Sequence, residues 1–217
     1  MVCTRVIAST RKTLIPSSPL SRLISTPMDF TTPPLEKIPI ESTSLRSVEQ
    51  IFSLLNVVTY VKNATVEILK KCPGQKQAIL WHEFCMVRYS NEAILGNVAY
   101  SPFDWGHSIE NVPNEDKFYK ELNMLLDSLR DHAAFNRSPK KFAAASRPYP
   151  EYRTIYAFEQ CTPDISSDEC GECLKKSALQ IRECCDGARG VRILRPSCYL
   201  RFETDPFYNE TMVKTLP

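Results

Sequence analysis

The chain has 217 residues, with 27 Lys and Arg residues against 25 Asp and Glu residues, and its formal net charge is +2. This balance, without blocks of Lys and Arg, excludes the basic footprint of a general nucleic-acid binder. No run of 18 uninterrupted apolar residues occurs, so the sequence predicts no membrane span. Because 43% of the residues are hydrophobic, the chain can bury a core.

Residues 1–43 are rich in Pro, Ser and Thr, which disfavours regular hydrogen-bonded structure and predicts a disordered leader. No apolar run of the length that a secretory signal needs is visible there. The stretch is basic and has no acidic residue before Asp29, a composition that is also typical of organellar transit peptides. A disordered leader without a targeting role, or a mispredicted first exon, is favoured over a transit peptide.

Between residues 44 and 96 the sequence predicts two helical stretches and a strand pair. Apolar residues from Val48 to Val58 recur at three- and four-residue steps, and a second helical stretch covers Val61 to Lys71. Residues 77–91 are rich in large apolar and aromatic side chains, which favours two strands. The Gly- and Pro-containing segment 91–114 is the best candidate for a domain boundary.

The sequence after the predicted boundary segment predicts two helices and three strands. Asn114 is the predicted cap of the first helix, whose apolar stripe comprises Phe118, Leu122, Leu125, Leu126, Leu129 and Ala133. After a basic loop, residues 153–160 alternate as a strand does. Ser166 and Glu169 have the spacing of a capping box, so a second helix is expected to run to about Glu183. Residues 190–203 predict two further strands, with a break at Arg195 and Pro196.

Six of the nine cysteines lie within 38 residues, and their number favours a disulfide framework. A zinc site is a second reading, with Cys161, Cys170, Cys173 and either Cys184 or Cys185 as thiolate ligands. A third reading makes Cys170 and Cys173 a redox pair at a helix start. Disulfides are favoured because zinc knuckles usually present two close ligand pairs, whereas here the first gap is eight residues.

The pattern Cys161-x8-Cys170-x2-Cys173, with TIYAFEQCTPDIS before it and IRECCDGARGVRILRPSCYLRFETDPFYN after it, resembles the plant ginkbilobin-homologous domain, also called the salt-stress-response/antifungal domain. This domain occurs in cysteine-rich receptor-like secretory proteins and in the ectodomains of cysteine-rich receptor-like kinases. The resemblance predicts a complete second domain at 97–210 and a tail at 211–217. Residues 44–96 resemble an incomplete first copy that lacks its own C-x8-C-x2-C pattern, so Cys72 and Cys85 are expected to lack their family partners.

The resemblance implies an α+β fold, in which two helices pack on one face of an antiparallel sheet. It also implies disulfides from Cys161 to Cys170 and from Cys173 to Cys198. The candidates for a third bridge are Cys184 and Cys185. Cys185 aligns with the family's cysteine, but its usual N-terminal partner is not visible.

Some members of this family bind mannose, and the resemblance maps two of their site residues to Arg192 and Glu203. An arginine and a carboxylate can hold sugar hydroxyls through charge-assisted hydrogen bonds. A cross-strand ion pair between the two is the structural alternative, and the family's asparagine has no match here. The partners implied are mannose-type glycans or cell-surface receptor-like proteins.

No catalytic residue, cofactor or metal is expected. None of the three histidines, His82, His107 and His132, lies at a spacing that marks a nucleophile and its base, and the kinase motifs are absent. The expected role is a non-enzymatic, secreted recognition module in plant stress or defence, carbohydrate-binding or antifungal. The alternatives are an intracellular redox or zinc protein and a truncated, inactive family member. Three sequons would accept N-glycans in the secretory pathway, at Asn63, Asn136 and Asn209.

Overall fold

The computed structural model describes residues 2–4, 40–44, 54–82, 85–135, 141–149 and 153–208. The chain divides into two compact units, Met1–Ile94 and Leu95–Pro217. Within the described residues, no helix is both long and apolar enough to cross a membrane.

The first unit contains a four-stranded antiparallel sheet and a helix. Its elements are β1 (Val2–Thr4), β2 (Ile40–Ser44), α1 (Leu54–Lys71), β3 (Gln77–Trp81) and β4 (Cys85–Ser90), and the strand order is β1-β3-β4-β2. The core lies between α1 and the sheet, where Ile68, Leu80 and Val87 are completely buried. The predicted strand pair is confirmed, and the second helical stretch belongs to a longer helix that begins at Leu54.

Two short strands of the first unit lie at or within the predicted leader. Residues 2–4 pair with β3, and residues 40–44 pair with β4. For these residues the structure differs from the prediction of disorder, because an added edge strand is held by backbone hydrogen bonds that leave no apolar pattern in the sequence. Residues 5–39 lie outside the described residues, as do 45–53.

The second unit is a two-layer α+β structure, which confirms the predicted fold class. Its elements are β5 (Asp104–His107), α2 (Glu115–Ala134), β6 (Phe142–Tyr149), β7 (Arg153–Cys161), α3 (Ser167–Cys184), β8 (Val191–Leu194) and β9 (Cys198–Glu203). The strand order is β5-β8-β9-β7-β6, and all neighbours are antiparallel. Helices α2 and α3 pack against each other and against the sheet.

Both helices of this unit begin at the caps that the sequence predicts. The Asn114 side chain accepts a hydrogen bond from the backbone N–H of Lys117 at 3.2 Å. Ser166 and Glu169 form a complete capping box, in which each side chain binds the other residue's backbone N–H. These bonds satisfy donors that the first turn of a helix otherwise leaves unpaired.

Two strands of the second unit were not predicted from the sequence. β6 was expected to be a basic loop, and its Phe-Ala-Ala-Ala-Ser run lacks the β-branched residues that favour strands. β5 lies within the segment that was assigned to a domain boundary, and it contains Asp104 and Gly106. Both strands form through pairing with distant partners, Val191–Leu194 for β5 and Arg153–Cys161 for β6.

Side-chain alternation gives the five-stranded sheet two different faces. The inner face, toward α2 and α3, carries the buried residues Val191, Ile193, Cys198, Leu200 and Phe202. On β8 and β9 the outer face carries the partly exposed residues Arg192, Leu194, Tyr199, Arg201 and Glu203. The period of two along each strand therefore places the predicted sugar-site residues on the outer face.

Candidate functional site

Arg192 lies on β8, opposite Gly106 of the edge strand β5. A Cβ atom at position 106 would lie 2.8 Å from the Nε atom of Arg192, which is closer than real side chains approach. The Arg192 side chain therefore runs across the glycine, flat against the edge of the sheet.

Glu203 lies on β9, and its carboxylate sits over Gly190 at the start of β8. A Cβ atom at position 190 would lie 1.7 Å from the Oε2 atom of Glu203. Gly190 is not in the left-handed region of backbone conformations, so the need for glycine here comes from the close approach of the carboxylate.

The structure adds a second arginine that the sequence analysis did not single out. Arg201 lies directly opposite Arg192 in the register of β8 and β9. Its Nε atom donates to the Oε1 atom of Glu203 at 3.1 Å, and its guanidinium lies 4.4 Å from the centre of the Phe207 ring. This register makes Arg192 and Glu203 diagonal neighbours, and Arg201 lies opposite Arg192 and two residues before Glu203.

We call Gly106, Gly190, Arg192, Arg201 and Glu203 the outer patch. Two arginines supply hydrogen-bond donors, one carboxylate supplies acceptors, and two glycines leave room for the charged side chains to lie flat. The alternation of β8 and β9 could have identified Arg201 as outward-facing. Its position beside both predicted residues depends on the strand register, which the sequence does not display.

Loops at one end of the sheet hold Gly190 in place. The Gly190 N–H donates to Ser108 Oγ at 3.1 Å, and the Ser108 N–H donates to the Gly190 carbonyl at 2.9 Å. The neighbouring Arg189 forms an ion pair with Glu110 and donates to Thr204 Oγ1 at 3.0 Å. The backbone that carries the glycine is therefore tied to β5 and to the end of β9.

The structure contains the two disulfides that the family resemblance implies, Cys161 to Cys170 and Cys173 to Cys198. The first joins the end of β7 to the first turn of α3, and the second joins α3 to β9. All four cysteines are buried, between 0% and 4% exposed. Both bonds therefore tie α3 to the inner face of the sheet.

The third bridge differs from the family expectation. Cys184 and Cys185 are joined to each other, so Cys185 does not pair with a cysteine near the start of the domain. The physical reason lies in the sequence, since no cysteine occurs between Cys85 and Cys161.

These bonds also decide against the two thiolate readings. Cys170 and Cys173 each pair with a different partner, so they do not form a redox couple with each other. Every cysteine of the proposed zinc set is in a disulfide, and a disulfide sulfur is not the thiolate that zinc requires. Within the described part of the chain, no group of three or more His, Cys, Asp and Glu residues could hold a metal ion.

Cys72 and Cys85, which were expected to lack their family partners, differ in their bonding. Cys72 is disulfide-bonded. Cys85 is a free thiol in the apolar core. Burial, with a smaller contribution from the charge of Glu67, raises the pKa of the Cys85 thiol to about 12, so this thiol is unreactive at neutral pH.

The remaining predicted residues lie away from the outer patch. Asn63 is exposed on α1, and the Thr65 of its sequon is buried and donates to the Val61 carbonyl at 2.8 Å. Asn136 and Asn209 lie outside the described residues. The ring of His132 contacts the Ser128 carbonyl one turn earlier in α2, as a surface histidine does.

Comparisons with known proteins agree with the cysteine pattern and the fold. The family described as salt stress response/antifungal matches residues 106–205. Cysteine-rich receptor-like protein kinase 25 of Arabidopsis thaliana is 37% identical over 151 residues, which are 69% of this chain and 22% of the kinase. An antimicrobial ginkbilobin-2-like protein of Castanea crenata is 32% identical over 155 residues, which are 71% of this chain and 64% of that protein.

The chain thus spans about a fifth of the kinase and a little under two thirds of the antimicrobial protein. The crystal structure of the tandem DUF26 ectodomain from the Arabidopsis thaliana cysteine-rich receptor-like protein PDLP8 matches with a TM-score of 0.59 and 21% identity, over 71% of this chain and 68% of that one. At this identity the match shows a common fold. Motif, relatives and fold agree, and residues 106–205 are a salt stress response/antifungal domain, the ginkbilobin-homologous domain that the cysteine pattern resembles.

Proposed function

We propose that the second unit is a non-enzymatic extracellular recognition module of plant stress or defence, and that it binds mannose-type sugars through Arg192 and Glu203. The observation that supports this best is the placement of both side chains on the outer face of adjacent strands, each lying over a glycine. Sugar hydroxyls both donate and accept hydrogen bonds, so a guanidinium beside a carboxylate is a matching pair of groups.

Arg201 orients the carboxylate of the proposed site. Its bond to Oε1 fixes the Glu203 carboxylate, whose side chain is 28% exposed. The aromatic ring of Phe207 under the guanidinium fixes Arg201 in turn. A carboxylate that is already oriented loses less conformational entropy when a ligand binds.

The disulfides support an extracellular location. Such bonds persist in oxidising compartments, and the second unit contains three of them. The names of the relatives, an antimicrobial protein and a receptor-like kinase, support roles in defence and at the cell surface.

Calorimetric titration of the full chain with mannose tests the proposal. Losing a charged hydrogen-bond partner should cost roughly 1.5 to 3 kcal/mol, or about tenfold or more in affinity, so Arg192→Ala and Glu203→Ala should each bind at least that much more weakly. Arg147→Ala is the control, because Arg147 forms its ion pair with Glu121 of α2, away from the outer patch. Absent wild-type binding, or equal binding by all variants, would contradict the proposal, provided that circular dichroism shows every variant folded.

A further inference from the structure

We propose that β5 is an interface through which two copies of this chain pair edge to edge and form a dimer. β5 is the end strand of the five-stranded sheet, and β8 is its only strand neighbour among the described residues. The other edge of β5 is therefore open. The inference does not depend on sugar binding, since it concerns the backbone edge of this strand.

Hydrogen bonds fix the direction in which the residues of β5 present their backbone groups. The Ser108 N–H donates to the Gly190 carbonyl at 2.9 Å, and residues of an antiparallel strand alternate between facing one neighbouring strand and facing away from it. Gly106 therefore faces β8, as Ser108 does. Trp105 and His107 direct their N–H and C=O groups at the open edge, where no partner for them is found among the described residues.

The side chains beside this edge are apolar and exposed. Trp105 is 46% exposed, and Ile109, two residues after the strand, is 96% exposed. The rings of Phe103 and Trp105 lie 5.7 Å apart, and Ile109 follows at the same alternation. Soluble proteins usually cover an open edge or protect it with charged side chains such as Lys, and residues 103–109 include neither Lys nor Arg.

The open edge is complementary to itself, which favours a second copy as its partner. When two copies of β5 pair antiparallel with Gly106 opposite Gly106, Trp105 of each copy lies opposite His107 of the other. All the outward backbone groups of the strand then find partners, in about four hydrogen bonds. The same register places Phe103 opposite Ile109. A shift by two residues would instead move an outward residue of β5 opposite a residue outside the strand.

This register places no like charges directly opposite each other. Asp104 of each copy lies opposite Ser108 of the other, and it is the diagonal neighbour of the other copy's Gly106. Arg192 runs across that glycine, so side chains of opposite charge are neighbours near the two-fold axis. Opposite charges across a strand pair stabilise it, whereas like charges would destabilise it.

Pairing at this edge would make one continuous sheet of the two five-stranded sheets. Both outer patches would then face the same side, and the two copies of β8 would lie about 14 Å apart, which is three strand spacings. If the outer patch binds sugar as proposed, the dimer would present two sites to one glycan surface. Two linked sites bind such a surface more tightly than one.

Amide hydrogen exchange, followed by nuclear magnetic resonance, tests this interface in the full chain. Rates are measured at about 20 μM and about 1 mM, because dimerisation depends on concentration and so short a strand pair should give a weak dimer. The Trp105 and His107 amides should exchange about tenfold or more slowly at the higher concentration. The Ser108 amide, which is already bonded to Gly190, should change less. Sedimentation equilibrium measures the mass at both concentrations.

A charge placed beside the edge should prevent the pairing. Ile109→Lys adds such a charge, and because this side chain is almost fully exposed, the substitution should not disturb the fold. Leu179→Lys is the matched control, since Leu179 is 63% exposed on α3. We expect Ile109→Lys to weaken the dimer about tenfold or more, as the loss of a few contacts would, and Leu179→Lys to leave it unchanged.

Three results would overturn the proposal. A chain that stays monomeric at about 1 mM would leave the edge to a strand of another protein. A dimer whose Trp105 and His107 amides exchange equally fast at both concentrations would have its interface elsewhere. A dimer that Ile109→Lys and Leu179→Lys weaken equally would show that the edge of β5 does not hold it.

Discussion

The two faces of the five-stranded sheet differ in how exposed their charged side chains are. On the outer face, charged side chains are partly exposed and lie beside partners, as Glu203 does beside Arg201. On the inner face the carboxyl group of Glu159 is 1% exposed, and its Oε2 atom has no hydrogen-bond partner within the described residues. The comparison indicates that stability depends on the inner face, whereas the outer face, where we propose that ligand binds, carries the partly exposed charged groups, although the residues of both faces alternate along the same strands.

Phe202 and Arg201 are neighbours on β9 that face opposite sides of the sheet. Substituting Phe202 should give the largest change in the free energy of unfolding. Phe202 is completely buried against the helices, and its ring contacts that of Phe118. Phe202→Ala should lower the free energy of unfolding by about 3 to 5 kcal/mol, because it removes a large buried ring and leaves a cavity.

Arg201→Gln is the matched control at the adjacent position, and it should change stability by less than about 1 kcal/mol. Urea denaturation of the two variants measures both values. Similar losses at both positions would contradict the division between the faces.

The disulfide between Cys173 and Cys198 should have the next largest effect, because it joins α3 to the inner face across 25 residues of chain. Replacing both cysteines with Ala should cost about 3 kcal/mol, since the bond restricts the unfolded chain. The matched control replaces Cys184 and Cys185 with Ala, which opens a bond between adjacent residues and should cost much less.

Chemical denaturation under oxidising conditions compares the two double variants. Peptide mapping without reduction should first show the Cys161–Cys170 and Cys173–Cys198 bonds in the wild type. Crossed pairs there, or equal losses of stability in the two double variants, would refute this assignment.

Glu159 should make stability depend on pH. Burial raises the pKa of this carboxyl well above its ordinary value; Arg130 of α2 acts in the opposite sense, whereas Asp127 and Asp131 raise the pKa further. The folded state therefore keeps the proton at pH values where the unfolded chain has released it. Stability conferred by the neutral form is fully present below the unfolded pKa and declines as pH rises toward the folded one.

Glu159→Gln should flatten this decline, whatever it does to the absolute stability. Free energies of unfolding measured from about pH 4 to pH 8 give the slopes. Glu172→Gln is the control, because its side chain is 48% exposed and lies beside Lys176. A wild type and a Glu159→Gln variant with parallel profiles would show that Glu159 does not titrate abnormally.

Gly190→Ala should have the smallest effect on stability and a clear effect on binding. The new Cβ atom would displace the flexible end of Glu203 rather than backbone, so stability should change by no more than about 1 kcal/mol. Sugar affinity should fall about tenfold, as in Glu203→Ala, because the carboxylate loses its position.

Calorimetry and thermal unfolding on the same sample measure both quantities. Gly171→Ala, on α3, is the control for adding a methyl group, and it should leave the affinity unchanged. Undiminished sugar binding by Gly190→Ala would show that the position of Glu203 does not matter for the site.

The helix starts could be predicted because they depend on residues that are close together in the sequence. Asn114, Ser166 and Glu169 act within their own helical turns, so the helix starts could be identified from spacing alone. The strands β5 and β6 were missed because their residues are ordinary for a loop and become strands only through distant partners.

The same reason explains why only some residues of the candidate site were predicted from the sequence. Arg192 and Glu203 were carried over from a family motif, whereas Arg201, Gly106 and Gly190 acquire their roles from the strand register. The bond between Cys184 and Cys185 was missed because each was considered as the partner of a distant cysteine. Pairing of neighbours became visible only once both side chains were placed at the end of α3.

Nuclear magnetic resonance of the arginine Nε–H groups tests the central claim, that ligand binds to the outer face, most directly. The full chain, labelled with ¹⁵N, is titrated with mannose, and the signals of Arg192, Arg201 and Arg147 are followed. The account predicts that the signals of Arg192 and Arg201 shift along one binding curve, while that of Arg147 stays in place. Unchanged signals of Arg192 and Arg201, or an equal shift at Arg147, would contradict it.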